Sequence, residues 1–421
     1  MILIAFGVAA WRQLTSIGDV GNPGVTPMEA LSTAMIDAAS GSVTMAIGLV
    51  GVMALFLGLM KVAEQGGLLV IIAKTLRPLM IQLFPDVPAD HPAMGAMILN
   101  MSANMLGLGN AATPFGIKAM DHLNKLNPMP GTASNSMVLF LAINTSSVTI
   151  LPTGVIALRA AAGSIDPAGI VPTTLFATIC STTVAIFTAK LCQRYWPVTS
   201  GTVGEIVSVR GSEPESLKGP DGAYPTWICI FALATIIGLV PLTILYGRTI
   251  APWIIPGLMA SLLAFGFNRQ VPVYEAFVEG AKDGFQVALR IIPYLVATLV
   301  AVAMFRSSGA LDLLIRPIGA ITEVFGLPAE ALPMALLRPL SGSGAYGILA
   351  SIIQDPEIGP DSYIGYLVST FQGSTETTFY VLAVYFGAVG IRRIRHALFA
   401  ALVADVAGIA AAVAIVGYLY G

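Results

Sequence analysis

Four charged side chains interrupt runs that are otherwise apolar enough to cross a bilayer: Arg290, expected to snorkel to the interface, and Arg338, Glu376 and Asp405. A carboxylate at membrane depth is costly unless it is paired or protonated, so an intramembrane Glu points to solute binding or proton coupling. Glu376 sits in Phe371-Gln-Gly-Ser-Thr-Glu-Thr-Thr-Phe-Tyr. There Gln372, Glu376 and Tyr380 recur every four residues and form one stripe of a helix, with Ser374, Thr375 and Thr377 beside them. The structural alternative is a permanent ion pair between Glu376 and Arg338. Arg338-Pro-Leu-Ser-Gly-Ser-Gly places a guanidinium next to Ser341 and Ser343, which suits a carboxylate, a phosphate or a protein acid. Asp405 is a second proton-coupling candidate, with satisfaction of a neighbouring helix as its plainer role.

A second polar cluster carries no charge. Asn100-Met-Ser-Ala-Asn-Met-Leu-Gly-Leu-Gly-Asn-Ala-Ala-Thr-Pro places Asn100, Ser102, Asn104, Asn110 and Thr113 in an apolar run. Asn100 and Asn104 share a helix face. Beyond Gly107 and Gly109 the helix is expected to break, because glycine is permissive and Pro114 lacks an amide donor. Broken backbone survives in a bilayer only when buried in protein or lining a watery cavity. Close packing between helices is the bland alternative. Asn144-Thr-Ser-Ser-Val-Thr-Ile-Leu-Pro repeats the theme, with Asn144 and Ser147 as binding candidates.

The elements that must position these groups are membrane helices. The chain has 421 residues, 56% hydrophobic and only 10% charged, with a mean hydropathy of +0.82; a soluble domain carries about 25% charged residues. Uncharged runs at 42–60, 93–117, 131–158, 167–189, 223–247 and 249–268, and singly charged ones at 285–305, 331–354, 362–390 and 397–420, approach or exceed the span of about 20 residues that a helix needs. They are continuous instead of alternating, which argues for helices over a β-barrel. The opening residues read as a short first membrane helix, and their brevity suggests a true start upstream.

The order of motifs repeats. Asp37-Ala-Ala-Ser-Gly-Ser-Val answers to Glu279-Gly-Ala-Lys-Asp-Gly-Phe, Asn100-Met-Ser-Ala-Asn to Leu340-Ser-Gly-Ser-Gly, Asn144-Thr-Ser-Ser-Val-Thr to Gln372-Gly-Ser-Thr-Glu-Thr, and Leu175-Phe-Ala to Leu398-Phe-Ala. The expected fold is all-α: a polytopic integral membrane protein with two repeated halves and broken or re-entrant helices, an arrangement usual among secondary transporters. The halves are 1–195 and 223–421, the latter with a connecting helix, and 196–222 is a polar linker. Basic residues at Lys190, Arg194, Arg392, Arg393 and Arg395 put the linker in the cytoplasm and the C-terminus outside. If 66–84 and 309–325 are full spans, the halves are inverted; if these segments are re-entrant or interfacial, the halves become parallel. Inversion is the favoured reading.

Other chemistries find no support. A net charge of −2 removes the footprint of nucleic-acid binding. Cys180, Cys192 and Cys229 form no metal or disulfide pattern, and His91, His122 and His396 have no ligand spacing. No phosphate-binding loop and no Ser/His/Asp set is present, so neither a motor nor an enzyme is expected. No metal and no other cofactor is implied.

The run 100–120 resembles the signature of spore maturation protein A. The runs 271–282, Leu337-Arg-Pro-Leu-Ser-Gly-Ser-Gly and Gly373-Ser-Thr-Glu-Thr-Thr-Phe-Tyr resemble spore maturation protein B. Together these similarities cover nearly the whole chain, as though two polypeptides were fused. Each half resembles the nucleoside recognition, or Gate, domain, also found in relatives of concentrative nucleoside transporters and in ferrous iron transporter B proteins; the GTPase that accompanies the latter is missing here. The resemblance implies a transport-like membrane core. The expected function is an inner-membrane secondary transporter or permease for a small polar solute, nucleoside-like or a small carboxylate, bound between the halves. The rival reading is a non-transporting membrane scaffold or sensor acting through protein partners. The bilayer and the solute are the expected partners, and self-association into a homo-oligomer is left open.

Overall fold

The computed structural model describes residues 2–16, 26–107, 112–196, 224–310, 318–319 and 321–421. Every regular element among them is helical. In chain order they are α1 (Ile2–Ser16), α2 (Pro27–Gln65), α3 (Leu68–Leu83), α4 (Pro92–Met105), α5 (Thr113–Lys125), α6 (Asn135–Thr145), α7 (Thr153–Ala161), α8 (Ile170–Cys192), α9 (Thr226–Asn268) and α10 (Val273–Ser307). Then come α11 (Leu332–Leu337), α12 (Gly342–Ile353), α13 (Tyr363–Ser374), α14 (Thr378–Ala388) and α15 (Ala397–Tyr420). Three of these, α2, α8 and α15, are long and apolar enough to cross a membrane uninterrupted. This is an all-helical, multi-pass membrane protein.

Local chemistry fixes the helix starts. Thr26 and Glu29 form a reciprocal capping box at α2, Ser134 caps α6, Ser341 caps α12 and Ser362 caps α13; each satisfies an otherwise orphaned amide.

Two antiparallel pairs frame the molecule. On α2 and α10, Gly284 lies against Ala54, Gly280 against Leu57 and Gly58, and Glu279 against Lys61 at 3.7 Å, so numbers rise on one helix as they fall on the other. A Cβ on Gly284 would sit 2.7 Å from the Ala54 backbone, so only glycine permits this approach. On α8 and α15, the Tyr420 hydroxyl donates to Gly169 O at 3.0 Å, Ser181 to Ala404 O at 2.8 Å, and the Trp196 and His396 rings lie 5.7 Å apart.

The runs 223–247 and 249–268, expected as two spans, form one stretch of helical backbone, α9, of 43 residues. A straight helix of that length would extend about 64 Å. Yet the Tyr224 amide donates to Lys74 O at 3.3 Å while Phe265 and Gly266 pack on Gly66 and Val62, and Lys74 and Gly66 are only about 12 Å apart along a helix. The segment therefore bends back on itself.

The runs 93–117 and 331–354, expected as single spans, are hairpins. The His91 and His122 rings, at the start of α4 and near the end of α5, are 6.2 Å apart. The Tyr363 hydroxyl donates to Gly326 O at 2.7 Å, bringing the approach to α11 beside the exit from α12. Gly107, at φ +70°, begins the first reversal, and Pro114 sits in the first turn of α5. The helix α3, at 16 residues with Pro78 inside, is shorter than the about 20 a span needs. Its counterpart at 309–325 lies partly outside the described residues.

The loops join at both ends of α8 and α15. At one, Arg159 is fully buried and donates to Pro360 O (2.6 Å), Asp166 O (3.2 Å) and the Ser369 hydroxyl (3.3 Å), pairing with Asp361 at 3.0 Å. At the other, the amides of Arg392 and Arg393 donate to Gly131 O, and the Arg395 guanidinium donates to Ala133 O, Asn135 Oδ1 and Trp196 O.

Candidate functional site

All four interrupted segments meet at one place. The Ile150 amide, in the break between α6 and α7, donates to Met105 O at the first hairpin tip, 3.0 Å away. The Phe379 amide, at the start of α14, donates to Pro339 O at the second tip at 3.1 Å. The two breaks join directly: the Glu376 amide donates to Thr145 O at 2.8 Å. Helices α5, α7, α12 and α14 thus start at this centre, and α4, α6, α11 and α13 end there.

On one side of the centre lie the amides. Asn104 Nδ2 donates to Asn144 Oδ1 at 3.0 Å, Asn144 Nδ2 to Phe140 O at 2.9 Å, and Asn100 Nδ2 to Ala112 O at 2.8 Å and to the Tyr385 hydroxyl at 3.2 Å. Tyr385 in turn donates to Asn144 Oδ1 at 3.5 Å. Asn100 is fully buried, and its Oδ1 has no protein partner. Tyr385 on α14 thus ties the asparagines of α4 and α6 together.

On the other side lie the charges. Arg338, buried, donates to the Thr377 hydroxyl at 3.2 Å and to Thr375 O, with Glu376 at 3.8 Å. Asp405, buried on α15, accepts from Thr378 Oγ1 at 2.7 Å, and its Oδ1 is unpartnered. The Glu376 side chain is 48% exposed, so the carboxylate faces open space while the guanidinium is enclosed by backbone and hydroxyl acceptors.

Several sequence candidates play other parts. The Gln372, Glu376 and Tyr380 stripe does not exist as one helix face, because Thr375 is extended (φ −144°, ψ 161°) and ends α13. Gln372 is half-buried with an unpartnered Oε1. Ser102 donates to Ile98 O and Ser374 to Phe371 O, each within its own helix. Ser341 is a cap, Ser343 is exposed and Thr113 half-buried at the start of α5. Ser147 is buried, with its carbonyl accepting from Thr149. Asn110 lies outside the described residues. Sequence reasoning missed Tyr385, Thr378 and Tyr346, whose hydroxyl donates to Gly154 O at 2.7 Å; the two tyrosines carry no spacing signal, and Thr378 stands beside the Glu376 motif without having been singled out from it. Among the described residues, no cluster of His, Cys, Asp and Glu could hold a metal ion.

The chain is similar to several known proteins. Spore maturation protein B of Bacillus subtilis (strain 168) is 50% identical over 167 residues, 40% of this chain and 93% of that protein. Spore maturation protein A of the same organism is 47% identical over 171 residues, 41% of this chain and 87% of that protein. The inner membrane protein YjiG of Escherichia coli (strain K12) is 31% identical over 81 residues, 19% of this chain and 53% of that protein. Among solved structures, a doubly substituted CNTnw in an outward-facing state aligns over 100% of this chain and 99% of that one, with a TM-score of 0.49 and 12% identity. The family model for nucleoside recognition, Gate, matches residues 46–162 and 288–392, more than half of the sequence, and the chain belongs to that family.

Proposed function

We propose that this chain is a secondary transporter or permease of the bacterial inner membrane that binds a small polar solute between two halves, 1–195 and 223–421, joined by the linker 196–222. The observation that carries the reading is the Glu376 amide bonded to Thr145 O, which joins two unwound breaks where both hairpin tips also arrive. Such discontinuous helices at a repeat interface form the usual solute site of secondary transporters.

The same geometry supports reading the halves as inverted. The counterparts α2 and α10 run antiparallel, as do α8 and α15. Tyr385 on α14 reaches α6, while Arg159 on α7 reaches Ser369 on α13, which is the reciprocal exchange that a twofold relation requires. Placing α3 in the interface reverses the parity of the first half once, and turning α4 and α5 into a hairpin reverses it again, so inversion survives. The linker and the loop bearing Arg392 and Arg393 belong on the cytoplasmic side, and the C-terminus outside. Reporter fusions in the linker and at the C-terminus should report opposite sides; both on one side overturns the orientation.

The site favours a nucleoside-like solute over a carboxylate. Arg338 is already engaged by Thr375 O and Thr377, whereas the Glu376 carboxylate is free to accept from hydroxyls, with the amides of Gln372 and Asn104 as two-sided partners. Proton coupling falls to Glu376 and Asp405. A thermal-shift screen of nucleosides, nucleobases, small carboxylates and amino acids tests this, since a ligand that binds the folded state stabilises it. Stabilisation by nucleosides, lost in Glu376→Gln, is the expected result. Stabilisation by carboxylates alone overturns the solute class, and a flat screen favours the scaffold reading.

A further inference from the structure

The end of α8 carries a feature that solute transport does not use. Thr183, Phe187, Lys190 and Leu191 are all exposed at spacings that put them on one face of α8, and Arg194, also exposed, follows just past its end. Phe187 is 68% and Leu191 43% exposed, and Tyr195 and Trp196 follow at 75% and 45%. The loop between α14 and α15 is fastened to the same place: Arg395 donates to Trp196 O, and the His396 ring lies 5.7 Å from that of Trp196. This attachment places the loop that carries Arg392 and Arg393, both exposed, at the same end of α8 as Lys190 and Arg194. None of these four cations forms an ion pair among the described residues.

We propose that this rim is a binding site for an anionic phospholipid, with the phosphate headgroup among Lys190, Arg194, Arg392 and Arg393 and the acyl chains along Phe187 and Leu191. Unpaired guanidinium and ammonium groups complement a phosphate. The adjoining aromatic band is what distinguishes an amphiphile from a free ion, since Tyr and Trp settle where one end of the partner is apolar and the other wet. The linker that follows Trp196 in sequence carries Glu205, Glu213 and Glu215, an acidic set that could compete for the same cations.

The test is the thermal stability of the full chain in detergent, titrated with dioleoylphosphatidylglycerol, dioleoylphosphatidylcholine or inorganic phosphate. Phosphatidylglycerol should raise the midpoint more than phosphatidylcholine. The advantage should fall by more than half in the combined Lys190→Gln, Arg194→Gln, Arg392→Gln, Arg393→Gln variant. Phosphate matching phosphatidylglycerol overturns the lipid assignment, as does an unchanged advantage in the variant. A preference that emerges only when Glu205, Glu213 and Glu215 are changed to Gln also overturns it, by showing that the linker holds the rim. Native mass spectrometry of the wild-type chain gives a check free of mutation: phosphatidylglycerol should be retained over phosphatidylcholine, and equal retention refutes the site.

Discussion

Ser181 Oγ donates to the carbonyl of Ala404 at 2.8 Å, and these two residues stand six positions after the matching Leu175-Phe-Ala and Leu398-Phe-Ala motifs. Equivalent positions of two halves touch each other only near an axis that relates them. The inverted halves proposed above require such a contact between α8 and α15, close to the four helix breaks that form the proposed site.

That axis region leaves no spare volume. A Cβ on Gly408 would lie 3.0 Å from Thr375 Cγ2 and 3.3 Å from Ser181 Cβ. Gly408→Leu should therefore destabilise the protein by about 1–3 kcal/mol through overpacking. It should also displace Thr375, whose carbonyl holds Arg338. Thermal unfolding in detergent reads the first effect; a midpoint equal to wild type would show that α15 can shift without cost.

Tyr385 is the bridge between the second half and the asparagines of the first. Removing its hydroxyl in Tyr385→Phe leaves Asn100 Nδ2 with one acceptor and exchanges two buried hydrogen bonds for none. The expected loss is about 1–3 kcal/mol. Because Phe keeps the ring that stacks on Phe140 at 6.2 Å, packing stays intact and the change isolates the polar link. An unaltered midpoint in a thermal melt would mean that water replaces the hydroxyl.

Glu376 and Arg338 should separate function from stability. The Glu376 carboxylate is 48% exposed and its ion pair is long, at 3.8 Å, so Glu376→Gln should leave the melting midpoint within about 0.5 kcal/mol of wild type while abolishing solute-induced stabilisation. Arg338 is enclosed, and Arg338→Ala leaves Thr375 O and Thr377 without their donor. A destabilisation of about 3 kcal/mol or more is expected. The reverse pattern, a stable Arg338→Ala and an unfolded Glu376→Gln, would make the carboxylate structural.

These residues also show how far the sequence could be read. Apolar runs announce helices because bilayer thickness sets their length, and glycine and proline within those runs announce breaks because they alter backbone options locally. Both signals are carried by the residues concerned. Whether a broken run continues across or doubles back is decided by partners elsewhere, such as His91 against His122. For that reason 93–117 and 331–354 read as spans and fold as hairpins. The Gln372 to Tyr380 stripe failed similarly: four-residue spacing marks a face only while the helix lasts, and Thr375 ends it. Tyr385 and Arg159 carried no spacing signal, since one lies in an apolar run and the other just beyond the end of one.

His396 gives a pH dependence with a defined sign. It is buried at the start of α15, and desolvation, with the neighbouring Arg395 cation, pushes its pKa down to about 4. In the unfolded chain a histidine titrates near about 6.5. Between these values the unfolded state binds more protons than the folded one, so stability falls as pH drops from about 6.5 to about 4 and is independent of this group above that window. In His396→Asn this part of the slope should vanish. Melting midpoints across this range decide the matter, and identical slopes would place the titration elsewhere.

Arg159 makes the strongest prediction. Its guanidinium is fully buried, lies 4.2 Å above the Tyr366 ring, and binds the 359–362 loop through Pro360 O and Asp361. It therefore fastens α7 to α13, at the end of α8 and α15 away from Trp196. Removing one partner of a buried pair leaves the other uncompensated, at a cost of about 3–5 kcal/mol. Asp361 is only partly enclosed, with 29% of its side chain exposed, so water can solvate it once the arginine is gone. Arg159→Met, which keeps the apolar stem and removes the charge, should then cost less than Arg159→Ala, which also opens a cavity. Asp361→Asn should cost least of the three, because Pro360 O, Asp166 O and Ser369 still hold the guanidinium. Unfolding midpoints for the three variants test this order directly; if Asp361→Asn proved the most damaging, the ion pair and not the backbone acceptors would be what holds the two halves at this end.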